Sequence, residues 1–281
     1  MSQQITLQAP AKLNLTLDIT GLAPNGYHTL DMVMHTVSLC DTVTVEPADE
    51  IKLVCPDWLP NGPKNLAWRA AELLRAHAGE ALGARITLAK RIPAQAGMGG
   101  GSADAAAVLK ALNELWGLGL TAGELCKIGL ALGSDVPFAV AGGTARVRGV
   151  GDEIEPIHSV KPLWFLLAKP DGGVGTVEAY RLYDVIGAAA RPDNDRFLEA
   201  LQCGDFGGMA LYGGNALEKA AMKLLPAIGE LLAMIRETGT PYAAMTGSGA
   251  AIFAVFETEG EAIQAQKKMS GKPWSAVAHS I

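Results

Sequence analysis

Apolar and polar residues alternate in "ITLQAPAKLNLTLDIT" (5–20), and its Ile, Leu and Thr content predicts a half-buried pair of strands. A turn signal follows in "GLAPNGYHTL", carried by Pro24, Asn25 and Gly26, before "MVMHTVSLCDTVTVE" resumes the strand pattern. The period then changes. In "LAWRAAELLRAHA" apolar positions recur at helical spacing behind Asn65, a residue type that caps helices. "ARITLAKRI" reads as a short strand stopped at Pro93. Val108, Leu109, Leu112, Leu115 and Trp116 then recur in steps of three and four, predicting a helix with one buried face from Ser102 to a stop at Gly117. A second short helix is predicted over 122–132, and "TARVRGVG" as a strand.

From about residue 162 a new series begins: the strand "LWFLLAKP", helices near 176–184, 215–223 and 226–238, and the strands "YAAMTG" and "AAIFAVF". A helix near 260–270 and the strand "WSAVAHS" close it. A β-α-α-β-β-α-β order with a mostly antiparallel sheet predicts an α+β fold. A chain of 281 residues exceeds the usual ~100–150 of one domain, and the series divide it into domains at 1–160 and 161–281.

Composition narrows the possible ligands. Net charge is −6, without a basic stripe, which argues against nucleic acid binding by counterion release. An anionic ligand must therefore be held by local donors or a metal ion rather than by the overall field. "MSQQITLQAP" has no leader pattern, and no stretch approaches the ~18 apolar residues of a membrane span, so a cytoplasmic protein is expected. Cys40, Cys55, Cys126 and Cys203 have no metal-ligand spacing and read as reduced thiols. The 33 glycines exceed the average share of about 7% and gather in loops.

One of those loops is "IPAQAGMGGGSADAAA" (92–107). A Walker A loop is ruled out because no Lys follows the glycines. A dinucleotide fingerprint is approximated only by Gly97 and Gly99, without the acidic residue that holds a ribose. The remaining ligand reading is a phosphate cradle, in which residues without Cβ let successive N–H groups face one point at a helix N-terminus. A linker or a tight helix approach competes with it. Asp104 reads as a plain capping acid of the first helical turn, with a magnesium-bridged phosphate as the alternative.

Four segments in order, "PAKLNL" (10–15), "PAQAGMGGGSADAA" (93–106), "GSDVPF" (133–138) and "MTGSGAAIF" (245–253), resemble the GHMP kinases, and the likeness spans about 9–256. The resemblance implies a GHMP kinase fold: an N-terminal ATP-binding domain of the ribosomal-protein S5 domain 2 type and a smaller α/β-sandwich C-terminal domain. It implies Lys12 and Asp135 as the catalytic pair. ATP contacts are implied at Asn65, Lys90 and along Pro93, Ala94, Gln95, Ala96, Gly97, Met98, Gly99, Gly100, Gly101, Ser102 and Ala103, with Mg²⁺ as charge partner and its ligands unassigned. Met98 stands where such loops often have Leu, and Ala103-Asp104 replaces a Ser-Ser or Ser-Asn variant. "NGYHTL" (25–30) resembles the branch that acts on a cytidine diphosphate compound of non-mevalonate isoprenoid synthesis. That branch implies substrate contacts at Asn14, Tyr27, His28, Thr176, Tyr180, Gly247 and Ser248, with Tyr27 and Tyr180 stacking on the base and His28 bonding its edge. The alternatives are a homoserine or mevalonate kinase and a ligand sensor without catalysis; a nicotinamide oxidoreductase is more distant.

Overall fold

The computed structural model describes residues 4–24, 26–158, 160–269 and 274–281. Along the chain the elements are β1 (Ile5–Leu22), β2 (His28–Pro47), β3 (Ile51–Val54), α1 (Leu66–Ala78), β4 (Ala84–Ala89), α2 (Gly100–Leu115), α3 (Ala122–Leu130) and α4 (Asp135–Ala141). Then come β5 (Thr144–Gly149), β6 (Glu153–Pro156), β7 (Trp164–Ala168), α5 (Thr176–Ile186), α6 (Asn194–Cys203), α7 (Phe206–Tyr212) and β8 (Gly214–Asn215). The chain continues through α8 (Glu218–Leu224), α9 (Ala227–Arg236), β9 (Tyr242–Met245), β10 (Ile252–Phe256), α10 (Glu259–Lys268) and β11 (Ser275–His279).

Two compact units alternate along the chain. One comprises Met1–Ala11, Cys40–Pro93 and Gly99–Gly142; the other comprises Lys12–Leu39, Ala94–Met98 and Gly143–Ile281. The sequence pattern, by comparison, divides the chain once, at 160/161.

In the first unit β4 pairs antiparallel with the end of β2 (Thr42↔Ala89 to Pro47↔Ala84) and parallel with β3. Helices α1 and α2 pack together, and their buried alanines Ala70, Ala71, Ala105 and Ala106 share one core with Ile86, Leu74, Leu109 and Leu112. Asn65 caps α1 as predicted, accepting the Ala67 N–H at 2.9 Å, and Gly79 ends it in the left-handed conformation.

In the second unit β6, β5, β2, β1 and β8 lie side by side, β8 pairing parallel with β1 at Thr16↔Gly214. A separate four-stranded antiparallel sheet runs β11-β7-β10-β9, which bears out the antiparallel reading of that half. The strand pair expected over 5–20 is instead one strand of 18 residues. Alternation misleads there because residues 11–19 are buried on both faces, the polar ones with partners. Thr16 donates to Asn194 at 2.5 Å, and Asp18 accepts from Arg191 at 2.7 and 2.6 Å.

The sequence pattern also missed α6 and α7. Each starts at an aspartate cap, Asp193 accepting from the Arg196 N–H and Asp205 from the Gly208 N–H. A Cβ on Gly208 of α7 would lie 2.8 Å from the Ala200 Cβ of α6, so glycine there lets the two helices meet. All four cysteines are free thiols, and no described helix is long and apolar enough to cross a membrane.

Candidate active site

Helix α2 starts at Gly100, two residues before the predicted Ser102, because Gly99 takes φ +67° as its N-cap. A glycine cap has no side chain to offer, and none caps this helix. The first-turn N–H groups therefore lack intrahelical acceptors and sit at the positive end of the helix dipole. The other glycines answer to packing as well. A Cβ on Gly97 (φ +70°) would overlap the carbonyl oxygen of Thr246. One on Gly100 would stand 3.0 Å from Ile92 Cγ2 and 3.6 Å from Lys90 Nζ.

Lys90 lies in the first unit with its ammonium bound between Asp41 and Asp104, the latter at 2.5 Å. Asp41 is wholly buried, and its other oxygen accepts the N–H groups of Arg91 and Ile92 at 2.5 and 2.9 Å. Asp104 is thus no capping acid. It stands beyond the first turn of α2, turned inward, with Oδ1 buried and unpartnered. Burial pushes its carboxyl up to about 7, Lys90 opposing and Asp41 adding to the rise. The cluster pins the segment that leads into the glycine loop. Asn65 is similarly committed: beside its cap bond, Nδ2 donates to the Pro60 carbonyl at 2.9 Å.

Asp135 opens α4. Pro137 falls in the first turn, where no N–H is needed, and Val136 packs so near Gly129 that a Cβ there would stand 2.7 Å from Val136 Cγ1.

In the second unit three of the four quoted segments meet. Lys12 Nζ donates to Asn14 Oδ1 at 2.5 Å, the Lys12 N–H to the Met98 carbonyl at 3.1 Å, and the Asn14 N–H to Thr246 Oγ1 at 2.9 Å. The Ala250 and Ala251 N–H groups bond the carbonyls of Gln95 and Ala96, both at 3.1 Å. A Cβ on Gly247 (φ +58°) would come within 2.8 Å of the Gly97 carbonyl oxygen. Ser248 Oγ reaches Thr176 Oγ1 at 3.0 Å. Lys12, Asn14, Gln95, Ala96, Gly97, Met98, Thr176, Gly247 and Ser248 thus form one continuous set of contacts.

A second cluster gathers on α5. Tyr180, Tyr183 and Asp184 share one helix face through their i, i+3 and i, i+4 spacing. That face meets His28 at the start of β2: the rings of His28 and Tyr180 lie 4.7 Å apart at 30°, and Tyr183 presents its edge at 6.2 Å. His28 Nε2 bonds Asp184 Oδ1 at 2.7 Å. Tyr27 is 68% exposed. Sequence reasoning missed Asp41, Asp184 and Thr246. Asp184 had a signal in its place one helical turn after Tyr180, and Thr246 in the quoted segment 245–253.

Among the described residues no three His, Cys, Asp or Glu side chains are placed to hold a metal ion.

The model of the GHMP kinases N terminal domain matches residues 65–143, and that of the GHMP kinases C terminal domain matches 186–276. A 4-diphosphocytidyl-2-C-methyl-D-erythritol kinase of Geobacter sulfurreducens is 39% identical over 98% of each chain. One of Pelotomaculum thermopropionicum is 44% identical over 89% of this chain and 88% of its own. A solved 4-(cytidine 5'-diphospho)-2C-methyl-D-erythritol kinase superposes with a TM-score of 0.81 at 35% identity, covering 98% of this chain and 99% of the other. A homoserine kinase from Cytophaga hutchinsonii shares the fold at TM-score 0.75 and 19% identity, over 100% of this chain and 95% of its own.

Proposed function

Since this chain belongs to the GHMP kinase family, we propose that it transfers the γ-phosphoryl group of ATP to the 2-hydroxyl of 4-diphosphocytidyl-2-C-methyl-D-erythritol, in the cytoplasm. One observation carries the choice of acceptor. Relatives of that name match at 39–44% identity over nearly the whole chain, whereas the homoserine and mevalonate kinases share the fold at 19% or less. The net charge of −6, without a basic run in the sequence, fits a small-molecule substrate and no nucleic acid.

In this reading the α2 N–H groups following Gly99 receive the phosphates, with the cluster around Lys90 holding the loop's approach in place. The acceptor hydroxyl attacks the γ-phosphorus: a new oxygen–phosphorus bond forms, the bond to the β–γ bridging oxygen breaks, and ADP leaves. The hydroxyl proton passes to the Asp135 carboxylate. Lys12, aimed by Asn14, offsets charge on the transferring group. Mg²⁺ supplies further charge neutralisation when bound with ATP. Mg²⁺ bound with a nucleotide usually keeps several waters and takes only one or two protein carboxylates. Asp104 does not fit as its ligand, since the carboxylate is turned inward to Lys90. His28 and the α5 face receive the cytosine, Tyr27 closing on it from solvent.

The test is ADP release with three acceptors. Turnover with the cytidine diphosphate compound, and none with mevalonate or homoserine, is expected. Turnover with either of the latter overturns the acceptor assignment, and release with none of the three favours the sensor.

A further inference from the structure

We propose that Asp184 is a positioning residue that fixes the tautomer of His28, so that the acceptor site selects a base with an exocyclic amino group over one with a carbonyl in its place. The inference rests on the cytidine reading above. It starts from one bond, His28 Nε2 to Asp184 Oδ1 at 2.7 Å.

An ionised carboxylate only accepts, so the ring nitrogen facing it carries the proton. In the neutral imidazole the other nitrogen, Nδ1, is then an acceptor. An acceptor at that position takes an N–H of the cytosine amino group. Against uracil it meets the lone pairs of a carbonyl, and both groups go unpaired. Without Asp184 the ring is free to place its proton on either nitrogen, and Nδ1–H would suit the uracil carbonyl.

The ring's orientation is constrained as well. Tyr180 lies on its face at 4.7 Å, and Tyr183 stands edge-on at 82°. All three partners come from consecutive turns of α5, so one helix sets both the plane of the ring and its proton. The histidine side chain is 15% exposed and that of Asp184 51%, so the pair forms at the surface without burying a carboxylate.

The experiment uses the full chain labelled with ¹⁵N and two probes, CMP and UMP. The imidazole nitrogen shifts of His28 report which nitrogen holds the proton. The expected wild-type spectrum is that of the Nε2–H form, with CMP bound about tenfold or more tighter than UMP, as one unmatched polar group implies. Asp184→Ala should mix the tautomers and bring the CMP-to-UMP ratio near unity, leaving the KM for ATP unchanged. Asp184→Asn, whose carbonyl still accepts, should keep most of the ratio. A wild-type Nδ1–H form, or an unchanged ratio in Asp184→Ala, overturns the inference. Wild-type protein that binds neither nucleotide overturns the cytidine reading itself, and the nitrogen spectrum then still shows whether Asp184 sets the tautomer.

Discussion

In the proposed site the groups that α2 would offer to a ligand are backbone N–H groups that follow one another along the chain from Gly99. Against His28 they are side chains, brought to the beginning of β2 by a helix that lies far along the sequence. The first region depends on backbone conformation: Gly97 and Gly99 hold positive φ, a Cβ on Gly97 would overlap a carbonyl oxygen, and one on Gly100 would crowd Ile92. The second depends on what each side chain carries and on whether α5 presents the right face. A backbone site is disturbed by adding atoms, and a side-chain site by removing them. Substitutions can therefore separate the two.

The largest effect should fall on neither binding region. Asp135→Asn keeps size and shape, and should lower kcat by about 10²–10⁴, the usual contribution of general acid–base catalysis. Calorimetry should find ATP and CMP bound as in wild type. A variant with near wild-type kcat removes Asp135 from the mechanism and leaves the chemistry to one of the two binding regions.

Gly100→Val tests the backbone region. The new side chain meets Ile92 and Lys90 and pushes the first turn of α2 out of place. Loss of charge-assisted bonds worth about 1.5–3 kcal/mol predicts an ATP KM raised by about 10- to 150-fold. CMP binding should hold, provided melting shows an intact fold. Equal loss of both ligands would make the loop a packing device and erase the contrast. Tyr180→Ala is the reciprocal test. Base–aromatic stacking of about 1–3 kcal/mol predicts an acceptor KM raised by about 5- to 150-fold, with the ATP KM unmoved. An acceptor KM within twofold of wild type would take the α5 face out of the cytidine site.

The same contrast explains what the sequence disclosed. The glycine loop was legible because its pattern lies in consecutive residues, although the pattern alone did not show that Gly97 is also required by the Thr246 carbonyl. Asn65 was legible as a cap because a cap is local. Asp104 was misread: position in a helix suggests a cap, and only the fold brings Lys90 and Asp41 to it. Asp184 was missed for the same reason, its partner lying 156 residues away. The buried polar face of β1 hid in a strand whose alternation promised exposure, since Asn194 and Arg191 come from beyond residue 190 to satisfy it.

A second histidine on β2 sharpens the contrast at the smallest scale. His35 lies seven residues beyond His28 in the same strand, but it is 2% exposed. Its ring nitrogens meet two hydroxyls, Thr144 Oγ1 at 2.8 Å and Ser280 Oγ at 2.9 Å, and Phe165 packs against the ring. No carboxylate faces it in these contacts, and burial pushes its pKa down to about 4 from an ordinary 6.5. A base held neutral in this way stabilises the fold fully above 6.5. As pH falls the unfolded chain takes up the proton first, so the contribution is lost between about 6.5 and 4. One proton over that window amounts to about 3 kcal/mol. Urea melts of the wild type at pH 7 and pH 4.5 should show this loss on top of any other acid sensitivity. His35→Gln should be less stable than wild type at pH 7, since its amide cannot reproduce both hydroxyl contacts and the ring packing. Its stability should nevertheless change less between the two pH values. An identical pH slope in the two proteins would mean that His35 takes up its proton in the folded state as readily as in the unfolded chain.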